Sequence, residues 1–280
     1  MHSRILAAVC FAATAGTAIA EPSVERGEYL VRGPMGCGNC HTPMGPEGYV
    51  PDMELAGRLV EQNDMFTAIA PNITPAGPVG DWSDEELARA IREGIRPDGS
   101  IIGPPMPFVF YRGIGDDDLM SVVMFLRTLP GVDNDAGKST YNIPLPPAYG
   151  PPVESVTPPE AAVTVEYGEY VAGPLAHCME CHTPMGPQGP MVDTDLGRGG
   201  FEFHGPWGTS VASNLTPSED GIAGYSDDEL KAMITEGVRP DGSRMLPPMP
   251  YGHFAAMTDT DLDAVVAYLR QLRPLADTVE

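Results

Sequence analysis

Near the end of each half of this chain, apolar residues fall three and four positions apart. Leu119, Val122, Val123, Leu126 and Leu129 form one such stripe, and Leu262, Val265, Val266, Leu269 and Leu272 repeat it. This spacing predicts an amphipathic helix in each place. Both runs are entered through acidic residues, Asp116 to Asp118 and Asp259 with Asp261, which suit a helix N-terminus. Further upstream, Ser83 precedes Glu86 and Ser226 precedes Glu229, each pair reading as a capping box. The helices they open are expected to stop at Gly94 and Gly237 in a left-handed C-cap. A first helix is predicted near 24–33 and again near 165–172. The stretches between are rich in Gly, Pro and polar residues and read as long loops. No alternating run predicts a strand, so the expectation is an all-α fold.

The patterns come in pairs because the chain repeats itself at an offset of 141 to 143 residues. Gly27-Glu28-Tyr29 returns as Gly168-Glu169-Tyr170, Asn72-Ile73-Thr74-Pro75 as Asn214-Leu215-Thr216-Pro217, and Arg96-Pro97-Asp98-Gly99-Ser100 as Arg239-Pro240-Asp241-Gly242-Ser243. Residues 21–130 and 165–280 are therefore expected to be two domains, each with three main helices. The intervening 131–164 carries Pro144, Pro146, Pro147, Pro151, Pro152, Pro158 and Pro159. That composition favours extended backbone and a semi-rigid strap across both units, with a loose spacer as the duller reading.

Composition changes this picture in two ways. Gly 32 and Pro 31 leave much loop, and aromatics at 7% leave a thin side-chain core, which an organic cofactor in each unit would supplement. The formal net charge is -23, and both halves are acidic. Nucleic acid is excluded as a partner on electrostatic grounds. A basic protein surface is favoured, beside the plainer reading that acidity serves solubility. Residues 1–20 read as a secretory signal: a basic start at His2 and Arg4, an apolar run from Ile5 to Ile19, and Ala18-Ile19-Ala20 before the cut. No later stretch is apolar and long enough to span a bilayer, and the expected location is the periplasm.

The chemistry lies in a duplicated string, Cys37-Gly38-Asn39-Cys40-His41 and Cys178-Met179-Glu180-Cys181-His182. Cys-x-x-Cys-His is the attachment signature of c-type haem. A single copy is open to other readings, a redox pair or half a zinc site. Two copies, each followed by Pro-Pro-Met-Pro at 104–107 and 247–250, predict two covalently bound haems. Cys37, Cys40, Cys178 and Cys181 would form the thioethers, with His41 and His182 as the proximal iron ligands. The remaining cysteine, Cys10, falls in the expected signal.

These residues resemble the class I c-type cytochromes, and the whole chain resembles their tandem dihaem members, including cytochrome subunits of periplasmic and quinone-linked dehydrogenases. The resemblance implies single-electron transfer between redox proteins: a dehydrogenase, an oxidase or a small cytochrome. It also places the distal methionine just before the last helix. Met106 and Met249 occupy that position, bracketed by prolines that stiffen the loop, and are the expected distal ligands. Met44 and Met185 follow the proximal histidines too closely to reach the opposite face and are expected to pack at the haem edge. Arg96 and Arg239 are candidates to pair with haem propionates, or else with carboxylates of their own turns. Asn72 and Asn214 are candidates for hydrogen bonds near the haem, or else begin turns. His177, His204 and His253 have no counterparts and are assigned to surface or propionate contacts. The competing reading is a haem enzyme such as a dihaem peroxidase. It needs a labile distal ligand, which a methionine loop in both repeats disfavours.

Overall fold

The computed structural model describes residues 21–187 and 189–277; the expected signal at 1–20 lies outside them. In the first repeat, α1 (Val24–Arg32), α2 (Cys37–His41), α3 (Asp84–Glu93), α4 (Phe108–Tyr111) and α5 (Asp116–Thr128) follow one another. The second repeat gives α6 (Val165–Tyr170), α7 (Cys178–Cys181), α8 (Val192–Asp195), α9 (Asp227–Glu236), α10 (Tyr251–Phe254) and α11 (Asp259–Leu269). Both predicted capping boxes form: Ser83 and Ser226 accept from the N–H of Glu86 and Glu229, and each glutamate reaches back to the serine N–H. Gly94 and Gly237 end these helices in the left-handed region.

The helices that close each repeat pack as a crossed pair, α1 on α5 and α6 on α11. The crossing is tight because a glycine sits at its centre. A Cβ on Gly27 would lie 1.9 Å from the Ser121 carbonyl oxygen, and one on Gly168 would lie 1.9 Å from that of Ala264. The backbones therefore approach more closely than any side chain allows. Around these crossings the buried side chains of both repeats form one continuous cluster. Leu30, Val31, Met35, Val122 and Val123 from the first repeat join Val171, Leu175, Val265 and Val266 from the second. The predicted first helix of repeat two is broken: after α6 the chain makes a wider π-helical turn, Val171–Leu175, containing Pro174. Proline cannot donate the backbone bond that a regular helix needs there.

The all-α expectation does not hold. Helix accounts for only 35% of the chain, and strand for 12%, in several small sheets. Short hairpins follow each motif, β1 (Met44–Gly45) with β2 (Gly48–Tyr49) and β6 (Met185–Gly186) with β7 (Gly189–Pro190). Longer antiparallel ribbons pair β3 (Arg58–Gln62) with β4 (Phe66–Ala70), and β8 (Glu202–Gly205) with β9 (Gly208–Val211). In β4 the alternation is real, with Phe66, Ala68 and Ala70 buried. It is hidden in the sequence because the intervening residues include apolar Ile69, so the run does not read as alternating. The third strand of that sheet, β5 (Thr140–Tyr141), comes from the proline-rich segment and pairs with Phe66 and Thr67.

That segment is held against the first repeat at many points. Asn134 Nδ2 donates to the Ala56 carbonyl at 2.8 Å, and Tyr149 stacks on Phe108 with ring centroids 4.9 Å apart. The Asp116 N–H donates to Val156 O at 2.9 Å, and the ring of Pro158 lies against Gly115. The tail after the second repeat's last helix runs back in the same way, its Leu275 carbonyl accepting from Asn214 Nδ2 at 2.7 Å.

Candidate functional site

Each Cys-x-x-Cys-His string folds into a short helix behind a left-handed residue, Gly36 (φ 52) or His177 (φ 40). The imidazoles are buried and fixed by a backbone carbonyl. His41 Nδ1 donates to Pro71 O at 2.8 Å, and His182 Nδ1 donates to Ser213 O at 2.7 Å. A carbonyl can only accept, so Nδ1 carries the proton and Nε2 keeps its lone pair. Burial lowers the basicity of both rings, holding them neutral. A neutral imidazole, locked in one tautomer by an outer partner, is the form that ligates a metal.

The thiols are equally secluded. Burial pushes Cys37 and Cys178 up to about 12 and Cys40 up to about 11, and raises Cys181 as well. Such cysteines are poor free nucleophiles. Among the described residues no group of acidic, histidine and cysteine side chains could hold a metal ion by itself.

Matching backbone frames surround both strings. The Gly57 N–H donates to His41 O at 2.6 Å and the Gly199 N–H to His182 O at 2.7 Å. Thr42 Oγ1 accepts from Leu55 N, and Thr183 Oγ1 from Gly197 N. Met106 and Met249 stand half-buried against the core, each in a loop pinned on both flanks. On one flank, Ile102 N donates to Gly94 O and Met245 N to Gly237 O, both at 2.8 Å. On the other, Tyr141 Oη donates to Pro104 O at 3.0 Å and Ser210 Oγ to Pro247 O at 2.6 Å. Strands β5 and β9 supply these pins. The elements missing from the all-helical expectation are therefore the ones that hold the methionine loops.

Other predicted residues are placed differently. Asn72 and Asn214 are fully engaged: each Oδ1 accepts from the N–H and hydroxyl of Thr74 or Thr216, while each Nδ2 ties down the chain that follows the last helix. They act on the histidines through the main chain, since Pro71 and Ser213 immediately precede them. Arg96 Nη1 donates to Ser100 Oγ and Ile101 O, and Arg239 Nη1 donates to Ser243 Oγ and Arg244 O, bracing their own turns. Met44 and Met185 are 54% and 52% exposed on the β1 and β6 hairpins rather than packed. Sequence reasoning passed over Arg58. Its Nε is buried with no hydrogen-bond partner, and its charge acts on Cys40 and His41. It stands directly after Gly57, which bonds the His41 carbonyl. Repeat two has Gly200 there.

Sequence analysis also missed how the repeats are joined. Tyr170 Oη donates to Asp118 Oδ2 of the first repeat at 2.6 Å and accepts from Gly115 N at 3.0 Å. Its counterpart Tyr29 does the same in reverse, donating to Asp261 and accepting from Thr258 N at 3.1 Å. Each tyrosine thus caps the other repeat's last helix, and burial raises the pKa of both phenols, Tyr29 to about 12.

Residues 166–273 match the family model Cytochrome c. The chain is 28% identical to the alcohol dehydrogenase (quinone) cytochrome c subunit of Gluconobacter oxydans (strain 621H), over 95% of this chain and 58% of that protein. It is 26% identical to the gluconate 2-dehydrogenase cytochrome c subunit of Pantoea cypripedii, over 96% of this chain and 64% of the relative. A diheme cytochrome c-type protein of Cereibacter sphaeroides is 27% identical over 85% of this chain and 82% of its own length. The chain spans less than two thirds of the dehydrogenase-linked relatives. Among the described residues no helix is long and apolar enough to cross a membrane.

Proposed function

From its place among the electron-transfer cytochromes c, as a carrier rather than a catalyst, we propose that this chain holds two haems c. It would pass single electrons from a dehydrogenase to a further redox protein in the periplasm. When bound, haem c supplies an iron centre that gains and loses one electron reversibly. Cys37, Cys40, His41 and Met106 would hold one group. Cys178, Cys181, His182 and Met249 would hold the other. The observation that carries the reading is the duplicated histidine lock, with each Nδ1 spent on a carbonyl and each Nε2 left as donor.

The residues also fit the group's acidic edge. The unpartnered Nε of Arg58, beside Cys40 and His41, is a donor suited to a propionate. The thioether ligand favours the ferrous state, which raises the reduction potential. With nitrogen on one face and sulphur on the other, no coordination position remains for oxygen or peroxide, and the chain's work is confined to electrons. The acidic surface would speed encounter with a basic partner and make it salt-sensitive. The same reading divides the chain into units at 21–130 and 165–280, joined by the strap at 131–164.

The test is the haem content and spectrum of purified holoprotein. Two covalent haems per chain, both low-spin and inert to carbon monoxide, are expected. Rapid binding of that gas by one ferrous haem would instead favour a haem enzyme.

A further inference from the structure

The two attachment strings approach each other across the junction between the repeats. Helix α4 of the first repeat packs against the π-helical turn Val171–Leu175 that leads into the second string. One side chain lies between them. Tyr111, on α4 five residues after Met106, is buried. Its ring meets that of His177 edge-on, with centroids 5.8 Å apart. His177 directly precedes Cys178, and its Nδ1 is 3.1 Å from Glu180 Oε2, which orients the ring. Behind this pair, Pro174 packs on Gly113.

The pseudo-symmetric position is built otherwise. Gly36 stands where His177 does and brings no ring of its own. His253 packs over Gly36 and Gly38 instead, at a surface-facing position where its Nε2 meets Tyr49 Oη at 3.2 Å. Only one of the two crossings is therefore a buried contact between aromatic rings.

We propose that Tyr111 and His177 form the bridge by which an electron crosses between the two haem sites. The proposal rests on the two-haem reading above. The electron leaves the reduced iron of one site and enters the oxidised iron of the other. One centre is oxidised as the other is reduced, and no bond or proton moves. Packed side chains carry such coupling because tunnelling decays faster across a gap than through atoms in contact.

The experiment uses the holoprotein at partial reduction, with inter-haem exchange read by site-resolved magnetic resonance and haem content measured on the same sample. His177→Gly restores the residue that repeat one uses in the same left-handed conformation, so the backbone accepts it. His177→Gly and Tyr111→Leu are each expected to slow exchange by about tenfold, and Tyr111→Phe to stay within about twofold because the ring remains. If Tyr111→Leu fails to fold, His177→Gly decides alone. Unchanged exchange in a protein that keeps two low-spin haems overturns the bridge and leaves the two-haem reading intact. A wild-type preparation with one haem overturns both.

Discussion

The two repeats agree where iron would be held and differ where they touch each other. Both lock the proximal histidine through Nδ1, both bind the string's last carbonyl to a glycine N–H, and both pin Pro-Pro-Met-Pro from two sides. At the junction, Gly36 faces His253 while His177 faces Tyr111, and Arg26 stands where Tyr167 does. Arg26 donates to Asp118 at 2.7 Å, and Tyr167 donates to Asp261 at 2.7 Å, so one carboxylate has a cation and the other a phenol. Under the two-haem proposal the ligand frame is kept in both repeats because a change there would break a bond to iron. The shared face was free to diverge, because two surfaces meeting each other need only remain complementary.

The largest test of that likeness lies at the helix crossings. Gly27→Ala and Gly168→Ala each force a methyl into backbone and should cost about 3 kcal/mol or more, by overpacking. Urea unfolding should show nearly equal falls in midpoint. A mild Gly168→Ala would mean that the second crossing is looser than its 1.9 Å approach indicates.

The tyrosine exchange should separate the halves next. Removing a hydroxyl bonded to a carboxylate costs about 2 kcal/mol when the acceptor stays buried. Tyr170→Phe should reach that figure, since both Tyr170 and Asp118 are buried, although Arg26 still holds Asp118. Tyr29→Phe should cost less, because Tyr29 is half-exposed and Tyr167 continues to satisfy Asp261. Equal losses from the two would contradict the asymmetry.

Smallest are the helix caps. Ser83→Ala and Ser226→Ala each remove one reciprocal box and should each cost about 1 kcal/mol. Thermal unfolding should place them within error of one another, since both boxes have the same geometry and are exposed.

Much of the site was legible before any coordinates. The thiols and histidines follow from a covalent signature whose spacing is local, and the capping boxes from contacts between neighbours in sequence. The strands were not legible. Of β4's residues Phe66, Thr67, Ala68, Ile69 and Ala70, only the pairing with β3 and Tyr141 decides which face the core. Asn72 and Asn214 were read as bonding near the haem or else beginning turns; each Oδ1 does open a turn onto Thr74 or Thr216, while each Nδ2 reaches Val132 or Leu275, some sixty residues onward. Arg58 was invisible because an unpaired buried nitrogen is a property of surroundings, not of residue type.

By itself the sequence determined what is short-range: where the two Cys-x-x-Cys-His strings lie, where helices begin and end, and that the plan occurs twice. Tertiary structure alone decided which carbonyl orients each imidazole, which strands brace the methionine loops, and how each repeat caps the other's last helix. These depend on groups distant along the chain, brought together by burial of a common core, and no local pattern records them.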